Sequence, residues 1–211
     1  MDTKIIIDPT DKFHLTNVRN EITDKKQLSQ SLILLGRTIG RIIFNNFFVT
    51  DSVVTTPMSE SYHGLISLEK SILIISTDAD KDNYAQGIAE NFKNCYKGYI
   101  DYKGKRGQDA LKEEFRTMHL PSVPKDVIDV LVVAKTVLAT GCTAISMTNV
   151  AIKKYKPKIV IIASLFYTQT GIQELKTEFP HVEFLLGEED QLNPNGMLTP
   201  GIGNLDERLT A

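Results

Sequence analysis

From residue 71 to residue 186 the chain alternates dense apolar runs with polar segments of helical period, and that alternation restricts its fold more than any other feature. SILIIST, VIDVLVVA, KIVIIAS and VEFLL read as strands buried on both faces, because they lack the polar alternation of a half-exposed strand. Between them, 83–92, 142–154 and 170–178 read as helices, and 98–102 as a further short strand. Strands joined by helices of ten or so residues form βαβ units, which predicts an α/β fold: a central parallel sheet flanked by helices. A length of 211 residues fits one such domain, spanning 1–211, and leaves no room for two. The stretch 103–126, polar and broken by Pro121 and Pro124, is too long for a plain connection and reads as an inserted flexible hairpin or loop.

Ahead of this core, a short apolar run at Ile5–Ile7 precedes Thr23 and Asp24, whose side-chain oxygens can cap a following helix. Leu28, Leu32, Leu35, Ile39 and Ile42 then recur at helical spacing, predicting a long amphipathic helix over 25–48. Val53 and Val54 predict a short strand closed by Pro57, and the C-terminal NPNGMLTPGIGNLDERLTA reads as a Gly/Pro-rich loop.

Charge and cysteine content narrow the function classes. Lys and Arg total 24 against 26 Asp and Glu, so bulk charge does not wrap duplex nucleic acid. Cys95 and Cys142 cannot build a disulfide framework, and His14, His63, His119 and His181 lack zinc-motif spacing. The start MDTKIIIDPTDK does not read as a signal peptide, and the longest apolar runs fall short of the ~20 residues a membrane helix needs. A cytoplasmic protein without a membrane role is the expectation.

One strand-to-helix junction has the chemistry of an anion site. The strand 129–134 leads into Lys135, Thr136, Val137, Leu138, Ala139, Thr140, Gly141, Cys142 and Thr143, and then a helix. Thr140–Thr143 would present successive backbone N–H groups, two hydroxyls and a helix N-terminus to a phosphate. The same residues also describe an ordinary capped turn.

LATGCT after an apolar strand resembles the phosphoribosyl-pyrophosphate loop of type I phosphoribosyltransferases, and most closely the form found in the uracil phosphoribosyltransferases. Other matches follow in the same order along the chain. FHLTNVRNEITDKKQLSQ resembles the family's opening, an arm followed by a helix. ASLFYTQTGIQELKTEFPHVEF resembles its strand-helix-strand after the loop. EEDQLNPNG and then MLTPGIGN resemble its base-binding segment. The resemblance covers essentially the whole chain. It implies a phosphate and phosphoribosyl loop at Lys135–Thr143, and a uracil site at Leu198, Pro200, Gly201, Gly203, Asn204 and Leu205. It also implies a phosphate contact at Lys103, homo-oligomers, and Mg²⁺ if the protein is an active enzyme.

The departures from the family pattern fall on the residues that would carry catalysis. Lys135 stands where the family has an Asp that accepts from the ribose hydroxyls, and an ammonium can only donate. Asp129, six residues earlier on the strand, lies roughly 20 Å away and cannot substitute. After SILIIST the family has a Leu-Arg-Ala-Gly segment gripping pyrophosphate, whereas here Ala79 takes the Arg position among Asp78, Asp80 and Asp82. Those acids read as solvated loop residues and an N-cap, with recruitment of Mg²⁺ as the alternative. Cys142 replaces a Gly, Asn204 an Asp, and Lys103 an Arg. The expectation is a nucleotide- or phosphate-binding module, or a regulatory or partner-binding one, with no intact catalytic set and a UMP-like ligand. The alternatives are an active enzyme converting uracil and phosphoribosyl pyrophosphate to UMP, and an RNA or ribonucleoprotein partner role. The last rests on Lys97, Lys103, Lys105 and Arg106 among Tyr96, Tyr99 and Tyr102, and on the run Lys153, Lys154, Lys156 and Lys158.

Overall fold

Two layers of helices sandwich a seven-stranded sheet in the computed structural model, which describes residues 2–4, 8–101, 117–124 and 127–210. The helices are α1 (Pro9–Arg19), α2 (Lys25–Phe47), α3 (Tyr84–Ala89), α4 (Cys142–Tyr155), α5 (Gln169–Glu178) and α6 (Leu205–Thr210). The main strands are β1 (Asp2–Lys4), β4 (Ile72–Thr77), β5 (Cys95–Asp101), β6 (Thr117–His119), β7 (Val130–Leu138), β8 (Ile159–Tyr167) and β9 (Glu183–Glu189), in the order β1-β9-β8-β7-β4-β5-β6. Every pairing is parallel except β5 with β6, so the expected parallel α/β sheet is present with one antiparallel edge.

The long amphipathic helix forms as its spacing predicts. Asp24 accepts from the Gln27 N–H at 2.8 Å and starts α2. Leu28, Leu32, Leu35 and Ile39 then pack with Leu15 and Val18 of α1 against Ile74, Val132 and Ala163 of the sheet. Each such side chain removed from water contributes roughly 1.5–3 kcal/mol. The other face of the sheet, through Leu73, Ile75, Leu131 and Val133, buries Ala144 and Met147 of α4 with Ile172 and Leu175 of α5. Helices α2 and α3 cross backbone to backbone: a Cβ at Gly36 would lie 2.3 Å from the Tyr84 carbonyl oxygen, and one at Gly87 2.1 Å from that of Ile33.

Four expectations change. The N-terminal arm is itself helical as α1, because Asp8 caps it by accepting from the Asp11 N–H and Pro9 opens its first turn. The short strand at Val53 belongs to a longer one, β2 (Val49–Thr55), pairing antiparallel with β3 (Ser61–Ser67). The C-terminal tail is not all loop: β10 (Gln191–Leu192) pairs with β11 (Leu198–Thr199), and α6 follows. Within 103–126, Thr117–His119 rejoins the sheet beside Tyr99–Asp101, while 103–116 and 125–126 lie outside the described residues.

Candidate functional site

Parallel strands β4, β7, β8 and β9 end along one edge of the sheet, where such folds place their ligands. The phosphate-loop candidate sits at the end of β7 and is shorter than the sequence suggests. Lys135–Leu138 are strand rather than loop, because β7 continues pairing with β8 through Lys135↔Ser164, Val137↔Phe166 and Leu138↔Tyr167. Thr136 and Leu138 are buried within it, and Lys135 and Val137 half-buried. The turn is left to Ala139, Thr140 and Gly141, and α4 begins at Cys142.

Gly141 has φ 81° and caps α4 without offering a side-chain acceptor, so no side chain takes the first-turn N–H groups at the cap. The half-buried hydroxyls of Thr140 and Thr143 make no side-chain hydrogen bond among the described residues. Behind the turn, Thr168 Oγ1 donates to the Ala139 carbonyl at 2.6 Å. Gly171 comes so close that an added Cβ would lie 2.4 Å from the same oxygen. Thr168 and Gly171 hold the loop's shape, and only their N-cap spacing before α5 hinted at them in the sequence.

The loop after β4 runs beside this turn. Asp78 is exposed and pairs with Lys81 at 2.8 Å, and Asp82 is exposed. Asp80 is the correction to the expectation of solvated acids. It is 2% exposed and accepts from Thr136 N–H at 3.1 Å, Thr136 Oγ1 at 2.6 Å and Thr77 Oγ1 at 2.7 Å. Ala79 follows Asp78 on this loop. Lys103 lies outside the described residues. Asp129 binds Ser71 and Lys158 at the opposite end of β7, far from the turn.

Two strands along the edge from β7, the base-loop candidate is latched by Arg19. Its guanidinium reaches Asp190 at 2.7 Å, Glu188 at 2.9 Å and the Gly201 carbonyl at 3.1 Å, and lies over the Phe166 ring. Burial lowers the Arg19 pKa, but the hydrogen bonds with Asp190 and Glu188 outweigh it and leave it raised. Asp190 also accepts from the Gly201 N–H at 3.0 Å. Arg208 donates to the carbonyls of Val18, Asn20 and Ile202, fixing the loop's far side. Leu198 and Leu205 pack on the core, Gly201 and Gly203 take positive φ, and Pro200 follows a cis peptide bond. Asn204 Oδ1 is buried with no hydrogen-bond partner among the described residues. The sequence reading passed over Arg19 and Asp190, since a lone Arg in the first helix carries no pattern.

At a strand spacing of about 4.8 Å, the turn after β7 and the loop beyond β9 stand roughly 10 Å apart. The fold therefore gathers free N–H groups, hydroxyls and an orphan acceptor along one sheet edge. Among the described residues no three His, Cys, Asp or Glu side chains gather as a metal site, and no helix is long and apolar enough to cross a membrane.

An α/β sheet with a glycine turn leading from a central strand into a helix is the architecture of the type I phosphoribosyltransferases. The sequence profile of uracil phosphoribosyltransferase matches residues 8–210, and the chain belongs to that family. It is similar to the uracil phosphoribosyltransferase of Thermococcus sibiricus, 28% identical over 197 residues, covering 92% of this chain and 83% of that one. The Methanococcus maripaludis protein of the same name is 29% identical over 196 residues, with the same coverage. The solved structure of the AQ2163 protein from Aquifex aeolicus superposes with a TM-score of 0.78 at 21% identity, over 98% of this chain and 97% of that one, and shows the fold.

Proposed function

We propose that this chain binds a uracil nucleotide at the edge formed by β7 and β9 and has lost efficient phosphoribosyl transfer. The observation that carries this reading is Asp80. Where the family resemblance expects an Arg-bearing loop for pyrophosphate, the loop offers Ala79 and a carboxylate committed to Thr136. The leaving group then has no guanidinium from this loop, whose one cation, Lys81, is paired with Asp78, and transfer depends on stabilising that departing charge. Lys135 adds a second change, placing an ammonium where a ribose-accepting carboxylate is expected.

The parts that bind rather than catalyse support the same reading. Thr140, Gly141 and Thr143 keep the phosphate turn, and the orphan Asn204 Oδ1 is an acceptor for a pyrimidine N–H. The resemblance implies Mg²⁺ in an active enzyme, and the residues present do not form a cradle for it. Asp78 is turned to Lys81 and Asp80 to Thr136.

A second reading, an active uracil phosphoribosyltransferase, is favoured by family membership over 8–210 and by relatives of that name across 92% of the chain. The deciding experiment measures UMP formation from labelled uracil, phosphoribosyl pyrophosphate and Mg²⁺ beside the Thermococcus sibiricus enzyme, together with UMP binding by calorimetry. The proposed reading expects saturable UMP binding and turnover at least ~10³-fold below the relative, the scale of losing one charge-stabilising group. Turnover within about a hundredfold of it supports the active enzyme instead. The Ala79→Arg, Lys135→Asp double variant should gain turnover.

A further inference from the structure

Among the buried serines and threonines, Ser76 on β4 stands apart. Ser31, Thr136, Thr148, Ser164 and Thr168 all take part in hydrogen bonds. Ser76 is 1% exposed and makes none among the described residues. A buried hydroxyl without a partner is destabilising, so its retention points to a partner from outside the chain.

Ser76 lines a cavity of about 250 Å³. Two cross-strand pairs, Ile74↔Lys97 and Ser76↔Tyr99, set its floor on the sheet face that carries α3, with Ala85 of that helix as a wall. The Tyr99 ring is stacked on His119 at 5.7 Å, which fixes its plane. Lys97 Nζ rests on the neutral amide of Gln86 at 2.8 Å, and no carboxylate pairs with it among the described residues. Lys81 Nζ lies 4.4 Å from the Tyr99 centroid and is shared with Asp78. Asp82 is also in the lining, so the walls hold two cationic groups and one anionic group.

We propose that this cavity is a second ligand site, which takes a planar heteroaromatic ring bearing a single carboxylate. The ring fits among Ile74, Ala85 and Tyr99, its heteroatom accepts from the Ser76 hydroxyl, and its carboxylate meets Lys97. A second negative group would face Asp82 and Asp78. The site is distinct from the nucleotide edge. It lies on the α3 face of the sheet, whereas α4 packs on the other, and two strand steps, about 10 Å, separate β5 from β7.

The test is calorimetric titration of the full chain with isonicotinate, benzoate and isonicotinamide. Isonicotinate should bind saturably, with benzoate and isonicotinamide each at least ~5-fold weaker for want of one hydrogen bond or the charge. Ser76→Ala should erase the advantage of isonicotinate over benzoate while leaving the melting temperature unchanged or higher. A merely structural serine would show the reverse. Lys97→Met should weaken both acids by about tenfold. Absence of saturable isonicotinate binding to folded wild type at ~10 mM, where a millimolar site is mostly filled, would overturn the proposal. So would equal binding by Lys97→Met, or displacement by UMP, which would put the acid in the nucleotide edge.

Discussion

The Asp80 carboxylate accepts both the backbone N–H and the hydroxyl of Thr136, joining the loop after β4 to the C-terminal third of the neighbouring strand β7. Among the described residues this buried carboxylate is hydrogen-bonded by neutral donors, Thr136 twice and Thr77 once. Asp80→Ala should therefore cost about 2–4 kcal/mol, because it leaves a buried N–H and hydroxyl unpaired. Asp80→Asn keeps one acceptor oxygen and should cost less. Urea denaturation of the three proteins checks the order, and an alanine variant as stable as wild type would refute the strut.

Arg19 and Asp190 form the other long-range tie, across 171 residues. The Asp190 side chain is fully buried, so Arg19→Met strands a charge and should cost roughly 3–5 kcal/mol. It also frees the Gly201 carbonyl, so UMP affinity should fall with stability. Adding Asp190→Leu to Arg19→Met should recover part of the stability and none of the affinity, which denaturation and calorimetry separate.

Asp129 gives the fold an acid limit. The Lys158 ammonium, with the Ser71 N–H and hydroxyl, holds its carboxyl down at about 2 against the cost of burial. Since the folded pKa is depressed, the stabilisation is complete above about pH 4 and is lost as pH falls toward 2. With solvent screening at this partly exposed pair the effect is about 1–2 kcal/mol. Thermal melts from pH 6 to pH 2 should show a steeper acid loss in wild type than in Asp129→Asn.

The turn after β7 depends on the space at Gly171. Gly171→Ala places a methyl against the Ala139 carbonyl and should destabilise by roughly 1–3 kcal/mol while moving the turn. UMP binding should weaken more than this stability loss alone explains. An alanine variant with wild-type UMP affinity would show that the turn does not hold the phosphate.

Burial pushes the Cys95 thiol up to about 12, only partly offset by Lys97. At pH 8 the thiolate is then roughly one part in ten thousand. Alkylation by iodoacetamide in the folded protein should be slow at Cys95 and should accelerate on denaturation, as mass spectrometry of the labelled peptide would show.

Apolar strand runs, helical spacing and capping residues made the sheet, its flanking helices and the Lys25 helix start legible in the sequence. Those signals are local: each is set by neighbours within a few residues, and burial of the matching face completes them. The turn that ends at Gly141 was legible for the same reason. Its length was not, because Lys135–Leu138 become strand only through pairing with β8.

What the sequence by itself determined is the α/β sheet, its flanking helices and the strand-to-helix turn after β7. What only the tertiary structure decided is the direction of each polar side chain. Asp80 looked like one of three equivalent loop acids, yet it alone is buried against Thr136. Arg19 carries no local signal, yet it latches a loop near the far end of the chain. A hydrogen bond is fixed by positions set anywhere along the chain, and its worth depends on how much water the surrounding fold excludes. No local pattern carries that information.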